Sequence, residues 1–329
     1  MRRTAALTAL LLALWPVAVW PACAGRDLLA AMKPDRRAET LARAAGVPYP
    51  EGNLWRAERN GAVVHLAGTL HVGDPRLGPV MARLSPLIEG AALVLVESTP
   101  EAQADLRATL ATRPELAFLT GPQGLRDRLG AADAAAFDVA MTARGVHPSL
   151  ADRYRPWLAL ATLSVPPCLL AAGTPAPGLD AQVIDHAARA GVPVAPIKAH
   201  RFAVHHLDAL DEGDALELLR LSLRRDAVAE DLLHTMTEAY FAGRHRLAWE
   251  LPRSWPPQAT DRPALHDRLE KALLRRRNRA WVRRIEDASP RGPLFVAVGA
   301  AHLSGHDGLL DLLARAGWRL RRLEPTDPG

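Results

Sequence analysis

Apolar positions recur along this chain with two periods, and the switches between them predict its elements. The runs Leu54–Glu58 and Ala62–Ala67 flank Asn60-Gly61, a dipeptide suited to the two positive φ angles of a tight hairpin turn. After His71, residues Leu77, Val80, Met81, Leu84, Leu87 and Ile88 fall at helical spacing, and the unbroken run Ala91–Val96 closes at Glu97. A helix of that length between buried strands implies a parallel pair joined by a right-handed crossover, which brings His71 and Glu97 to one sheet edge.

The pattern is helical from about residue 101 to 190, with breaks at Pro114, Gly121-Pro122, His147-Pro148 and Gly173–Gly178. Trp157–Ala172 reads as a buried helix plus turn, interrupted by Pro166 and Pro167. A helix at Leu179–Ala190 is stopped by Gly191, and a buried strand follows at Val192–Ile197. Ala203–Arg246 is again helical, Leu251–Pro263 an ordered loop and Ala264–Ile285 one long helix. Leu294–Val298 is an apolar strand running into Gly299-Ala300-Ala301-His302; a helix over His306–Ala316 and a strand over Trp318–Leu323 end the pattern. The expected fold is α/β: a mixed, largely parallel sheet built from both ends of the chain, with a helical insertion over about residues 101–290 and no internal repeat.

The first 24 residues change the picture. Arg2 and Arg3, the apolar run Ala5–Trp20 and Ala22-Cys23-Ala24 form the three-part layout of a secretory signal peptide, with cleavage expected after Ala24. A lipoprotein anchored through Cys23 is the second reading, and Trp20 stands where such a motif prefers leucine. Residues 25–329 are then expected to form one domain, periplasmic or secreted, without a permanent membrane span. Cleavage there leaves Cys168 as the one thiol, read as a small buried apolar residue; two cysteines make neither a disulfide framework nor a cysteine metal cage.

Charge narrows the partners. Lys and Arg number 41 against 36 Asp and Glu, a net charge of +5, and without Arg2 and Arg3 the balance is 39 against 36. The arginines alternate with acids and aromatic residues make up 5% of the chain, so no segregated basic face with stacking residues points to nucleic acid. A peptide or other small substrate is the expected partner.

The zinc helix H-E-x-x-H, the nucleophile elbow G-x-S-x-G, the Walker loop and a G-x-G-x-x-G turn are absent. What remains is G-x-x-H twice, at Gly68–His71 and Gly299–His302, each directly after an apolar strand. Chance would supply roughly one such match, so the placement carries the signal: ligands of open α/β sheets bind at the C-terminal strand edge. His71, His302 and Glu97 converge there. Two imidazoles and a carboxylate suit a divalent metal with open positions, and equally a histidine general base oriented by Glu97; the bland alternative is two histidines bonding loop carbonyls. On the long helix Leu269, Leu273, Trp281 and Ile285 form an apolar stripe with Arg277 inside it and Asn278 beside it, so Arg277 calls for a carboxylate or oxyanion partner. Asp180 and Asp74 are read first as helix caps, and His200, His205, His206, His234, His245 and His266 as surface residues.

Taken in order, Leu54-Trp55, Gly68-Thr69-Leu70-His71-Val72, Val96-Glu97, Gly178-Leu179-Asp180, Arg277-Asn278-Arg279 and Val298-Gly299-Ala300-Ala301-His302-Leu303 resemble the TraB/GumN family, related to the Tiki metalloproteases. Gly305 and Gly308-Leu309 continue the match, and Pro156-Trp157 and Tyr240–Gly243 fit loosely, so the likeness runs from about residue 52 to 324. The resemblance implies a fold akin to erythromycin esterase and ChaN-like proteins, and an active centre of His71, Glu97 and His302 with Arg277 and Asn278 nearby. In Tiki-like members it further implies a divalent-metal peptidase, typically using manganese or cobalt. The first functional reading is therefore a hydrolase with manganese, cobalt or zinc, the histidines as ligands, Glu97 as third ligand or general base, and Arg277 or Asn278 steadying an oxyanion. Ile197-Lys198 departs from the Leu-Glu pair of many relatives and reverses the charge there. A binding protein that sequesters a peptide without turnover, and a metal-free esterase-like enzyme, are the alternatives.

Overall fold

The structure is a computed structural model and describes residues 23–171, 176–198, 210–255 and 263–323. Among them six strands form one sheet in the order β4-β3-β5-β2-β1-β6. The predicted hairpin is present: β1 (Leu54–Arg59) pairs antiparallel with β2 (Ala62–Thr69), from Leu54 opposite Ala67 to Arg59 opposite Ala62. Asn60 and Gly61 make the turn with φ of 51° and 82°, the left-handed values the dipeptide was expected to supply.

From β2 the chain passes through α1 (Leu77–Glu89) to β3 (Leu93–Val96). Further on, α2 (Leu179–Arg189) leads into β4 (Val194–Pro196), which pairs parallel with β3. Later come α3 (Ala229–Phe241), α4 (His245–Glu250), α5 (Pro263–Glu270) and α6 (Arg276–Ala288). The strand β5 (Leu294–Gly299) then inserts between β2 and β3, parallel to both. Finally α7 (Leu309–Arg315) returns the chain to β6 (Arg319–Arg322), antiparallel to β1. Strands from both ends of the sequence thus share one mixed sheet, and β2, β3 and β5 end together.

Helices cover both faces of the sheet, which is why β5 is buried along its whole length. Val296 and Val298 face α6 and α7, meeting Trp281, Ile285, Leu309 and Leu313. Phe295 and Ala297 face α1 and α2, meeting Leu77, Ile88, Leu179 and Val183. Each such large side chain contributes about 1.5–3 kcal/mol on burial. The insertion has its own apolar cluster, with Leu125, Phe137, Met141, Ala159 and Leu219 at its centre.

Several expectations need correction. The helix expected over Ala264–Ile285 is broken in register by a π turn at Lys271–Arg275. The extra residue rotates the following face, so Leu273 is 37% exposed while Leu274, Asn278, Trp281 and Ile285 point inward. Trp157–Ala172 is half-buried rather than buried: Pro156–Leu163 turns Ala159 and Leu163 inward, and Leu170 lies outside. His245 is not a surface residue; it is 1% exposed and bonds Asn53 through Nδ1. His200, His205, His206 and much of Gly173–Gly178 lie outside the described residues.

Cys168 is no free thiol. It is bonded to Cys23, 145 residues away. This pairing and cleavage after Ala24 exclude one another in the same molecule. Beyond Cys23, the Arg26 amide donates to Asp231 and the Leu28 amide to Thr235, so the amino-terminal segment is laced onto α3. A chain that keeps Cys23 is expected to lose about 2–4 kcal/mol of unfolding free energy on reduction. Urea unfolding with and without reductant reads this, and superimposable curves would mean that the bond constrains nothing.

Buried histidines make the fold acid-sensitive, two of them away from the strand ends that carry His71 and His302. Burial pushes His65 and His245 down to about 4, whereas in the unfolded chain each takes a proton near its ordinary 6.5. The unfolded state therefore binds more protons between those values, and stability falls as pH drops from about 6.5 to 4. Each group contributes on the order of 2 kcal/mol. Stability measured across this window should slope less in His65→Gln than in the parent chain.

Candidate active site

The site sits where β2, β3 and β5 end. Each of these strands delivers one group just past its last residues: His71 after β2, Glu97 after β3 and His302 after β5. Parallel pairing sets the alignment, with Thr69 opposite Gly299 and Val96 opposite Ala297.

His71 is held by two further pieces of chain. Leu179 donates its amide to the Leu70 carbonyl at 2.8 Å, and Val72 and Pro177 form a backbone bridge, so the start of α2 is zipped to the His71 loop. Gly178 is required by this approach: a Cβ there would stand 2.4 Å from the carbonyl carbon of His71. The zipper carries Asp180 to the site, where Oδ2 accepts from His71 Nδ1 at 2.6 Å and Oδ1 accepts from Thr69 Oγ1 at 2.5 Å. Asp180 is thus a site member rather than the cap it resembled. Asp74, by contrast, does hold the turn before α1, accepting the Arg76 amide at 2.8 Å. The bond to Asp180 raises the pKa of His71, and burial only partly opposes it. From the other side, the Tyr240 hydroxyl donates to the Gly68 carbonyl at 3.0 Å and supports the strand end.

His302 is 4% exposed. Its Nδ1 lies 2.6 Å from Asn278 Oδ1, and its ring stands 4.4 Å from that of Trp281. Asn278 is fully engaged, because its Nδ2 also donates to the carbonyls of Asp307 at 2.9 Å and His302 at 3.3 Å. Burial holds His302 down at about 4, so the ring is neutral at pH 7. With Nδ1–H donating to Asn278, Nε2 carries the free lone pair and lies 3.7 Å from Glu97 Oε1.

Glu97 accepts the Gly299 amide through Oε1 at 2.7 Å and pairs with Arg277 through Oε2. Burial works against its charge, but His302, Arg277 and the Gly299 amide outweigh that and hold the carboxyl down at about 2. Arg277 in turn lies over the Trp281 ring, 4.6 Å from its centroid. The sequence called for a carboxylate partner for Arg277, and Glu97 is that partner.

Gly299 marks the meeting point. A Cβ there would lie 2.9 Å from His71 Nε2 and 3.2 Å from Glu97 Oε1. Both imidazoles thus have Nδ1 tied to a fixed oxygen, and Nε2 of each lies on the side of Glu97. Among the described residues no group of three His, Cys, Asp or Glu side chains stands so that it could hold a metal ion, and Glu97 is shared with Arg277.

The model of the TraB/PrgY/gumN family matches residues 53–322. The chain belongs to the TraB/PrgY/gumN family. Every residue of the site lies inside the matched stretch, whereas Cys23 lies outside it. The uncharacterized protein YbaP of Escherichia coli (strain K12) is 25% identical over 253 residues, covering 76% of this chain and 87% of its own length. The same figures hold for YbaP of Shigella flexneri. No described helix of this family member is long and apolar enough to cross a membrane.

Sequence reasoning missed Asp180 and Thr69 as a pair, and the signal was faint: a glycine two residues before an acid at a helix start. It also treated Arg277 and Asn278 as equivalent. Arg277 keeps 26% of its side chain exposed, while Asn278, 1% exposed, is a positioning residue for His302.

Proposed function

We propose that this TraB/PrgY/gumN protein is an exported, divalent-metal-dependent hydrolase acting on a peptide or other small acyl substrate, with manganese, cobalt or zinc held by His71, Glu97 and His302. The observation that carries the reading is the matched pair of histidines, each with Nδ1 fixed by an oxygen, of Asp180 or Asn278, and Nε2 left to face Glu97 across Gly299. Bound there, the ion would polarise a carbonyl and lower the pKa of a water molecule. Asp180 and Asn278 orient the imidazoles. Glu97, held ionised, suits a ligand better than a proton acceptor. Arg277, which gives one nitrogen to Glu97, is the better placed of the two to meet a developing oxyanion, because the Asn278 amide already donates to two carbonyls. The Cys23–Cys168 bond fits an oxidising compartment and so supports export of a chain that keeps Cys23, not of one cleaved after Ala24.

One observation favours a second reading. The Asp180–His71 pair, with the histidine pKa raised, is also the geometry of a general base and its orienting carboxylate, which needs no metal.

Metal loading separates the two. Elemental analysis after manganese, cobalt or zinc loading and desalting is expected to find near-stoichiometric metal in the parent chain. Gly299→Ala should lose it, because the added methyl occupies the space between His71 and Glu97 while the residue's φ of −50° tolerates alanine. Hydrolysis unaffected by exhaustive chelation would reject the metal reading and leave the His71–Asp180 base.

A further inference from the structure

The loop that carries His71 borders more than the candidate active site. Along it Thr69 and His71 bond to Asp180, while the alternate residues Leu70 and Val72 line a cavity of about 500 Å³, a size common among small-molecule sites. None of His71, Glu97, Asp180 and His302 lines it. Leu233 and Thr237 of α3 contribute to the lining, as do Ala24 and Leu169, each next to a cysteine of the Cys23–Cys168 bond. Leu70, Val72, Leu169 and Leu233 are all half-buried, so each keeps apolar surface that a ligand could cover. The ionised groups of the lining are Asp74, Arg76 and Glu238, beside the imidazole of His234. One guanidinium serves both carboxylates: Arg76 donates to Asp74 through Nε at 3.0 Å and Nη2 at 2.8 Å, and its Nη1 lies 2.8 Å from Glu238. The same guanidinium is fixed over the Phe241 ring, 4.0 Å from its centroid. Two carboxylates against one guanidinium leave an excess of one negative charge beside an apolar hollow.

We propose that this cavity is a second ligand site, which takes an apolar chain ending in an ammonium group, as an alkyl amine or the amino terminus of a peptide with an apolar first residue provides. The aliphatic side chains cover the chain. Glu238 keeps 45% of its side chain exposed, and its carboxylate accepts from the ammonium while it holds Arg76. Binding here needs neither a metal nor hydrolysis, so the site stands or falls apart from the hydrolase reading.

Titration calorimetry on the chelated, metal-free full chain with its disulfide intact tests the site, at about pH 7 and fixed ionic strength, where amines keep their proton. The probes are leucinamide beside its uncharged counterpart N-acetylleucinamide, and hexylamine beside its anionic counterpart hexanoate. Each amine is expected to bind at least about fivefold tighter than its counterpart. The tighter of the two amines assigns the source as a peptide amino terminus or an alkyl amine. Glu238→Gln should remove both preferences, and Asp287→Asn, the same charge change on α6, should keep them. Thr237→Trp fills the cavity and should abolish binding of all four probes. Circular dichroism verifies that each variant is folded. No binding of either amine, equal binding of each amine and its counterpart, preferences that survive Glu238→Gln, or binding that survives Thr237→Trp would overturn the site. Failure of the hydrolase reading shows separately, as absent metal retention after loading.

Discussion

Replacing His71 with alanine is expected to reduce hydrolysis by at least about 10²-fold, equivalent to about 2.7 kcal/mol of transition-state stabilisation, and His302→Ala to do at least as much. The two variants should differ in what they do to the fold. The side chain of His71 is 65% exposed and can be removed with little loss of packing. His302 is buried, and its removal strips the partner from Asn278 Oδ1 and opens space beside Trp281, at a cost of about 1–3 kcal/mol. Activity loss in His71→Ala therefore cannot be blamed on unfolding, and it is the decisive member of the pair. Product formation followed by mass spectrometry, beside thermal unfolding, checks both. Parent-like turnover in His71→Ala would remove this residue from the chemistry under the metal and the metal-free reading alike.

Glu270→Ala is expected to destabilise the protein by about 3–5 kcal/mol, the largest stability effect foreseen. Arg246 is 4% exposed and donates to both oxygens of Glu270 at 3.1 Å and to Glu250 at 2.6 Å. Arg43 and Arg253 approach Glu250, and Arg275 approaches Glu270, so three cations share two carboxylates around Arg246. Loss of Glu270 leaves that buried guanidinium with half its counter-charge. The same guanidinium lies 3.0 Å from where a Cβ of Gly305 would stand, and the Gly305 amide donates to Pro48 at 2.9 Å, so the network also props the turn that follows His302. Chemical denaturation of Glu270→Ala and of the double variant Arg246→Met/Glu270→Leu distinguishes charge from packing. The double variant should recover much of the loss, since removing both charges also removes the desolvation penalty. Equal destabilisation of the two would show that packing, not charge, sets the cost.

Much of the site was legible along the chain because its parts are local signals. Gly68–His71 and Gly299–His302 each combine an apolar strand, a glycine and a histidine within a few residues, and Ala91–Glu97 ends in a carboxylate; pattern alone places all three at strand ends. The Glu97–Arg277 pair was half legible: a charge on an apolar stripe needs a partner, but nothing in the sequence says which. Asp180 was misjudged because an acid at a helix start has an ordinary local role, and its partner His71 is 109 residues away. The Cys23–Cys168 bond spans 145 residues, and no spacing rule reaches that far with only two cysteines.

By itself the sequence determined the hairpin, the strand ends, the mixed α/β class and the family, since alternation, helical spacing and turn residues act over a few positions and survive any arrangement of the rest. Only the tertiary structure decided which groups meet. The π turn at Lys271–Arg275 shows why: one added residue rotates everything after it by about 100°, turning Leu273 out and seating Asn278 against His302. Such a shift is set by how a helix packs on a finished sheet. That packing energy exists only once strands from both ends of the chain have come together.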